Sequence, residues 1–251
     1  MKMEIKEKLQ VFQNWIKVIT TIIEEQVIEA REDGLHVVGM DPSHVAMINT
    51  SFLSSNFESY EVGEEPKVCI NVKELRKILD RINKDEMVAI EHSVVKAKLL
   101  ITTKKGTRIR RFDMPTMADI EGETPEPKIF FKSKVRITID ELTLGLNDAQ
   151  LVSEHVVFDI GDDVLRLQGN GDNGGTHAQW DKDSDGVMLL KIDEESKATY
   201  TMSYIMDIVK ALKSLSELVT IELSTDMPIR IIGECPAGVT AEFFLAPCIG
   251  I

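Results

Sequence analysis

Three short stretches of the chain hold residue types that could do chemistry. Asp41, Ser43 and His44 in "DPSHV" are the types of a nucleophilic triad. A triad is assembled across a fold, because base and nucleophile must meet face to face rather than along one backbone turn. Asp-Pro-Ser between two strand-like runs is turn chemistry, with Asp at the first position and Pro at the second. His44 and Val45 are then expected to project from the start of the next strand. Gly169, Gly171 and Gly174 have the spacing of a dinucleotide fingerprint, which needs a helix directly after it to hold the pyrophosphate. The next residues, "GTHAQWDKD", alternate like a strand, so a glycine-rich hairpin is expected. "DKDSDG", residues 181–186, begins like a calcium loop, but its twelfth position is Ile192, which offers no ligand oxygen. His36, His44, His92, His155 and His177 are scattered, with no metal-site spacing on one helix. The reading is a binding or scaffolding protein, not an enzyme, with no cofactor and no metal.

The elements that would position these residues can be read from periodicity. Leu9, Phe12, Ile16, Ile19 and Ile23 predict a helix over 9–23. Asn71 as N-cap, with Glu74 placed for a capping box, opens a second helix over 71–84. Its buried stripe is Val72, Leu75, Ile78, Leu79 and Ile82. Further helices are predicted over 140–152 and 203–216, with short strands between all four. Residues 115–128 are proline-rich, acidic and aperiodic, and read as a connector.

The order of elements recurs after the connector. "VIEAREDGLHV" faces "VVFDIGDDVLR", "DEMVAIE" faces "SELVTIE" and "RRFDMP" faces "EFFLAP", at an offset of about 130 residues. The expected fold is α+β: two similar domains, 1–114 and 129–251, each with two helices on antiparallel sheet.

The 251 residues carry a formal net charge of −13, which argues against a uniformly basic surface. Three cysteines without a C-x-x-C pair fit a reducing cytosol rather than a disulfide framework. No apolar run approaches the roughly 20 residues of a membrane span. Against the acidic total, 71–84 holds five basic residues and two acidic ones. Lys17, Lys210 and Lys213 add positive charge on two other helices, whereas 140–152 has Asp140, Glu141 and Asp148 and no base. A shared positive helix face suits sequence-independent contact with phosphates.

"DGLHVVGMDPSHVAMI" at 33–48, "NVKELRKIL" at 71–79, "DMPIRI" at 226–231 and "FFLAP" at 243–247 together resemble the archaeal and eukaryotic DNA sliding clamps, the proliferating cell nuclear antigen family. The resemblance spans essentially the whole chain. It implies a homotrimeric ring that encircles duplex DNA, with helices lining the hole. It implies a tether for a polymerase and other replication and repair enzymes, opened by a separate clamp loader. A partner peptide would dock on Met40, His44, Val45, Ile120, Pro125, Pro127, Pro228, Leu245, Ala246 and Pro247. Lys17, Lys73, Arg76, Lys77, Arg81, Lys84, Lys210 and Lys213 would face the DNA. Subunits would join by edge strands, through Arg108, Arg110 and Arg111 on one and Thr176, Ala178 and Trp180 on the other. Basic side chains would there meet acidic ones, and the acidic helix at 140–152 would face a neighbour's Arg81 or Lys84. The family implies a cytoplasmic, nucleoid-associated location in an archaeal cell or a nuclear one in a eukaryotic cell, and no membrane partner. The rival reading is a subunit of a heterotrimeric or damage-signalling clamp.

Overall fold

The structure is a computed structural model that describes residues 1–118, 127–172, 174–235 and 238–250. Ile120 and Pro125 lie outside the described residues. Contacts divide the chain into two compact units. The first is Met1–Pro42 with Ile48–Thr124 and Pro236–Thr240; the second is Ser43–Met47 with Pro125–Cys235 and Ala241–Ile251.

In the first half of the chain the order is β1 (Lys2–Ile5), α1 (Leu9–Ile19), β2 (Glu25–Arg31), β3 (Gly34–Met40), β4 (Ala46–Leu53), β5 (Ser59–Glu61), β6 (Lys67–Asn71), α2 (Val72–Leu79), β7 (Met87–Ser93), β8 (Lys98–Lys105) and β9 (Arg108–Pro115). The second half repeats it: β10 (Ser133–Thr138), α3 (Ile139–Gln150), β11 (His155–Gly161), β12 (Val164–Gly171), β13 (Gly174–Asp181), β14 (Val187–Ile192), β15 (Ser196–Thr201), α4 (Met202–Leu212), β16 (Leu218–Leu223), β17 (Ile229–Cys235) and β18 (Val239–Leu245). A 3₁₀ turn at Ser54–Asn56 is peculiar to the first half among the described residues.

Pairings repeat as well. β1 joins β5 and β7 as β10 joins β14 and β16, and β2 joins β3 and β6 as β11 joins β12 and β15. All these pairs are antiparallel. The first sheet runs β5-β1-β7-β8-β9, and β9 is its edge. In the second unit the sheet β13-β12-β11-β15 has β13 as its edge.

α1 packs beside α2, and α3 beside α4. The helices end earlier than their hydrophobic patterns. α1 stops at Ile19 because Thr20 and Thr21 turn their hydroxyls back onto the Lys17 carbonyl. Ile23 is still buried, so the pattern continues into the core while the helix does not. Asn71 caps α2 by accepting the Glu74 N–H at 3.0 Å, but Glu74 does not complete the box; its carboxylate takes Lys77. α4 ends at Leu212, where Ser214 and Ser216 bond to nearby carbonyls.

In the first unit, Phe12, Trp15, Phe52 and Phe57 form an aromatic cluster, with the Trp15 indole donating to Thr50 Oγ1 at 2.8 Å. In the second unit the end of α3 presses on β12. A Cβ at Gly171 would stand 1.9 Å from the Val152 carbonyl oxygen, so only glycine admits that close approach. This packing role, and the β12–β13 hairpin, account for the glycine spacing at 169–174.

Candidate docking and assembly surfaces

"DPSHV" is a turn, and β4 begins one residue beyond it, at Ala46. His44 and Val45 therefore lie in the turn itself and not on the strand. His44 has φ 58, in the left-handed region where histidine is among the less disfavoured residues. Asp41 is buried, whereas Ser43, His44 and Val45 are exposed.

Within the second unit, backbone bonds gather several of the expected docking residues. The Ala246 N–H donates to the Val45 carbonyl at 2.8 Å, which fixes the turn beside "LAP". The Cys248 N–H donates to the Thr199 carbonyl at 2.8 Å, laying the tail along β15. The neighbouring Tyr200 hydroxyl donates to the Met227 carbonyl at 2.7 Å and so holds the turn before Pro228. Burial pushes the Tyr200 phenol far above its usual pKa, which keeps it a neutral donor. Ser224, in the same turn, bonds to the Phe130 carbonyl. The result is a patch with Val45, Met227 and Ile249 exposed and Ala246, Pro247 and Pro228 half-buried.

Leu245 is only 2% exposed and packs beneath this patch, so it supports the surface instead of lining it. Pro127 is half-buried at the start of the segment that carries Phe130. Met40 closes β3 in the first unit, half-buried. Sequence reasoning missed Phe130, which is 90% exposed, and also Met227 and Ile249. Each sits in a segment without periodicity, where an apolar residue gives no sign of facing out. A concavity of about 630 Å³ lies elsewhere, on β7, β8 and β9, lined by Lys96, Lys98, Leu100 and Arg111 among others.

The two strands expected to join subunits are sheet edges, but their side chains are used differently from the expectation. One Arg110 nitrogen bridges both Glu86 oxygens at 2.9 Å, and the same guanidinium donates to the Arg81 carbonyl. Arg108 reaches Glu86 at 3.2 Å. Two of the three arginines are thus held inside their own unit, while Arg111 is exposed. Glu86 has a side chain only 1% exposed. Burial would raise its pKa, but bonds from Arg110 and Asn83 outweigh that and hold it down at about 2. On β13, Trp180 is 7% exposed, and its indole donates to Glu141 at 2.9 Å. Trp180 therefore belongs to the core beside α3 and not to an exposed face; Thr176 and Ala178 are half-buried on the same side of the strand. A Cβ at Gly145 would stand 2.3 Å from the Trp180 ring, so that glycine makes room for the indole.

The helix cations are partly neutralised. Lys73 pairs with Glu24, Arg76 with Asp80, Lys77 with Glu74 and Lys213 with Asp140. Among the described residues Lys17, Arg81, Lys84 and Lys210 make no ion pair. On α3, Asp140 is engaged by Lys213 and Glu141 by Trp180, while Leu144 and, just past the helix, Leu151 are exposed.

Two family models match in series. The N-terminal domain of proliferating cell nuclear antigen covers residues 3–124 and its C-terminal domain covers 127–248. A "DNA polymerase sliding clamp" of Nitrosopumilus maritimus is 32% identical over 92% of each chain. "DNA polymerase sliding clamp 1" of Pyrobaculum aerophilum is 29% identical over 91% of each. The crystal structure of the proliferating cell nuclear antigen of Thermococcus kodakaraensis superposes with a TM-score of 0.88 at 19% identity, covering 98% of this chain and 99% of that one, which is a likeness of fold.

Proposed function

This chain belongs to the proliferating cell nuclear antigen family, and on that premise we propose that it is a DNA polymerase sliding clamp that works as a closed ring of three copies. The observation that carries the reading is the tandem match of both clamp domains along one chain. Its action is topological and not catalytic. A closed ring cannot leave duplex DNA sideways, so weak, sequence-independent phosphate contacts are enough. Lys17, Arg81, Lys84 and Lys210 supply those contacts, with Lys73, Arg76, Lys77 and Lys213 exchanging their acidic partners for phosphates.

β9 of one copy pairs with β13 of the next, because both are sheet edges with unpaired backbone groups. With Asp140 and Glu141 engaged in their own unit, Asp148 is the α3 acid that faces Arg81 or Lys84 across that joint. A polymerase, a loader or a repair enzyme docks a short peptide on the patch at Val45, Pro228, Ala246 and Pro247. Its apolar anchors meet Met227, Ile249 and Phe130.

The test is primer extension on circular DNA with polymerase and clamp loader. Longer products on adding this protein support the reading, and no gain in length sinks it. Light scattering of the purified chain should give three times the mass of one copy. His44→Ala should weaken peptide binding and leave that mass unchanged.

A further inference from the structure

We propose that Glu86 positions the β9 edge for the copy that docks on it, by fixing Arg110 and the turn after α2 as one body. The inference rests on the reading of the chain as a ring. Glu86 lies between α2 and β7, and its buried carboxylate takes donors from three residues. Asn83 gives its backbone N–H and its amide at 3.3 and 2.9 Å. Arg110 bridges both oxygens at 2.9 Å, and Arg108 adds a bond at 3.2 Å. Arg110 goes on to the Arg81 carbonyl just past the end of α2, where a cation also meets the negative end of the helix. Lys105, at the end of β8, ties Asp85 of the same turn.

The edge strand and the turn bearing Arg81 and Lys84 thus share one anchor, and both take part in the proposed joint. An edge strand lacks backbone partners on its open side, so its alignment depends on what holds it from beneath. Fixing that alignment before a second copy arrives reduces the freedom lost on docking. The Arg110 Nε–H is buried and has no hydrogen-bond partner among the described residues, so when Glu86 is neutral the guanidinium keeps only the Arg81 carbonyl, which carries no counter-charge. The edge arginines then repel one another without a buried counter-charge.

The experiment compares the full chain with Glu86→Gln, Arg110→Lys and Lys104→Gln. Lysine keeps the charge but not the planar guanidinium that spans Glu86 and the Arg81 carbonyl. Lys104 is exposed near the end of β8 and serves as the control. Dilution in an analytical ultracentrifuge reads ring dissociation, and amide hydrogen exchange reads Arg108–Pro115. Glu86→Gln and Arg110→Lys should raise the dissociation constant about tenfold or more and speed exchange on β9, while α1 amides keep their protection. Lys104→Gln should match the parent. Unchanged dissociation and unchanged β9 exchange in both variants would overturn the proposal. Should Glu86→Gln fail to fold, Arg110→Lys decides. If the parent chain forms no ring by itself, the homotrimer reading fails in favour of a heteromeric clamp, and β9 exchange alone still tests the role of Glu86.

Discussion

The two edge strands, β9 and β13, each close an antiparallel sheet, yet they are anchored by different physics. Glu86 holds β9 through arginines, in a buried ionic cluster. Glu141 holds β13 through the indole of Trp180, whose buried ring also packs over Gly145. An ionic anchor is directional and titrates, whereas a packed ring depends on volume. One doubled architecture therefore carries one edge sensitive to charge and another sensitive to shape.

The largest expected effect comes from removing the packed anchor. Trp180→Ala should destabilise the second unit by about 3–5 kcal/mol in denaturant unfolding, through loss of a buried ring and the cavity left behind. A change below about 1 kcal/mol would mean that β13 is held by its backbone alone.

The ionic anchor should respond to acid. Glu86 has its folded pKa lowered to about 2 from an ordinary 4.5. Its stabilising contribution is complete above the unfolded value and is lost as pH falls from about 4.5 towards 2. The loss is at most about 3 kcal/mol, and Glu86→Gln should flatten that slope. An equally steep slope in the variant would assign the acid sensitivity to other carboxylates. Trp180→Ala should leave the slope in place, which separates the two anchors.

Gly145→Ala should cost about 1–3 kcal/mol by crowding the indole. In a Trp180→Ala background most of that cost should disappear, because the ring it meets is gone. A cost that persists there would trace to the helix and not to the anchor. The smallest effects are at the helix caps. Asn71 accepts its capping N–H at 3.0 Å and Thr138 at 3.4 Å. Asn71→Ala should cost about 1 kcal/mol and Thr138→Ala less, measured as shifts in the urea midpoint.

This contrast is legible in the sequence only unevenly. The repeat, the four helices and the strands β9 and β13 come from local periodicity, which hydrophobic burial enforces within a few residues, while their place at sheet edges came with the family resemblance. The Asn71 cap is equally local. β1, β5, β6, β14 and β15 give no such signal, because they are short, lack strict alternation or, in β15, alternate mostly small and polar residues, and become strands only when a partner satisfies their backbone groups. The arginines of β9 mark an edge, but the partner of Arg110 is 24 residues away and looks like one acid among several in "NKDEMV".

The apolar patch of the second unit divides the same way. "DPSHV" and "LAP" match a family by their residues, and the turn is readable from Asp-Pro. Phe130 and Met227 join the patch only where Ser224 and Tyr200 bring their segments together.

By itself the sequence determined the family, the doubled α+β fold and the reading of "DPSHV" as a turn rather than a triad. Those rest on patterns repeated along the chain and on local turn chemistry, which need no distant partner. The tertiary structure alone decided which helix cations are paired, that Trp180 is core, that Leu245 lies beneath the exposed apolar patch and that Glu86 bonds to the arginines of an edge strand. Burial and pairing arise from residues far apart in sequence, and electrostatic interactions strengthen only where folding excludes water.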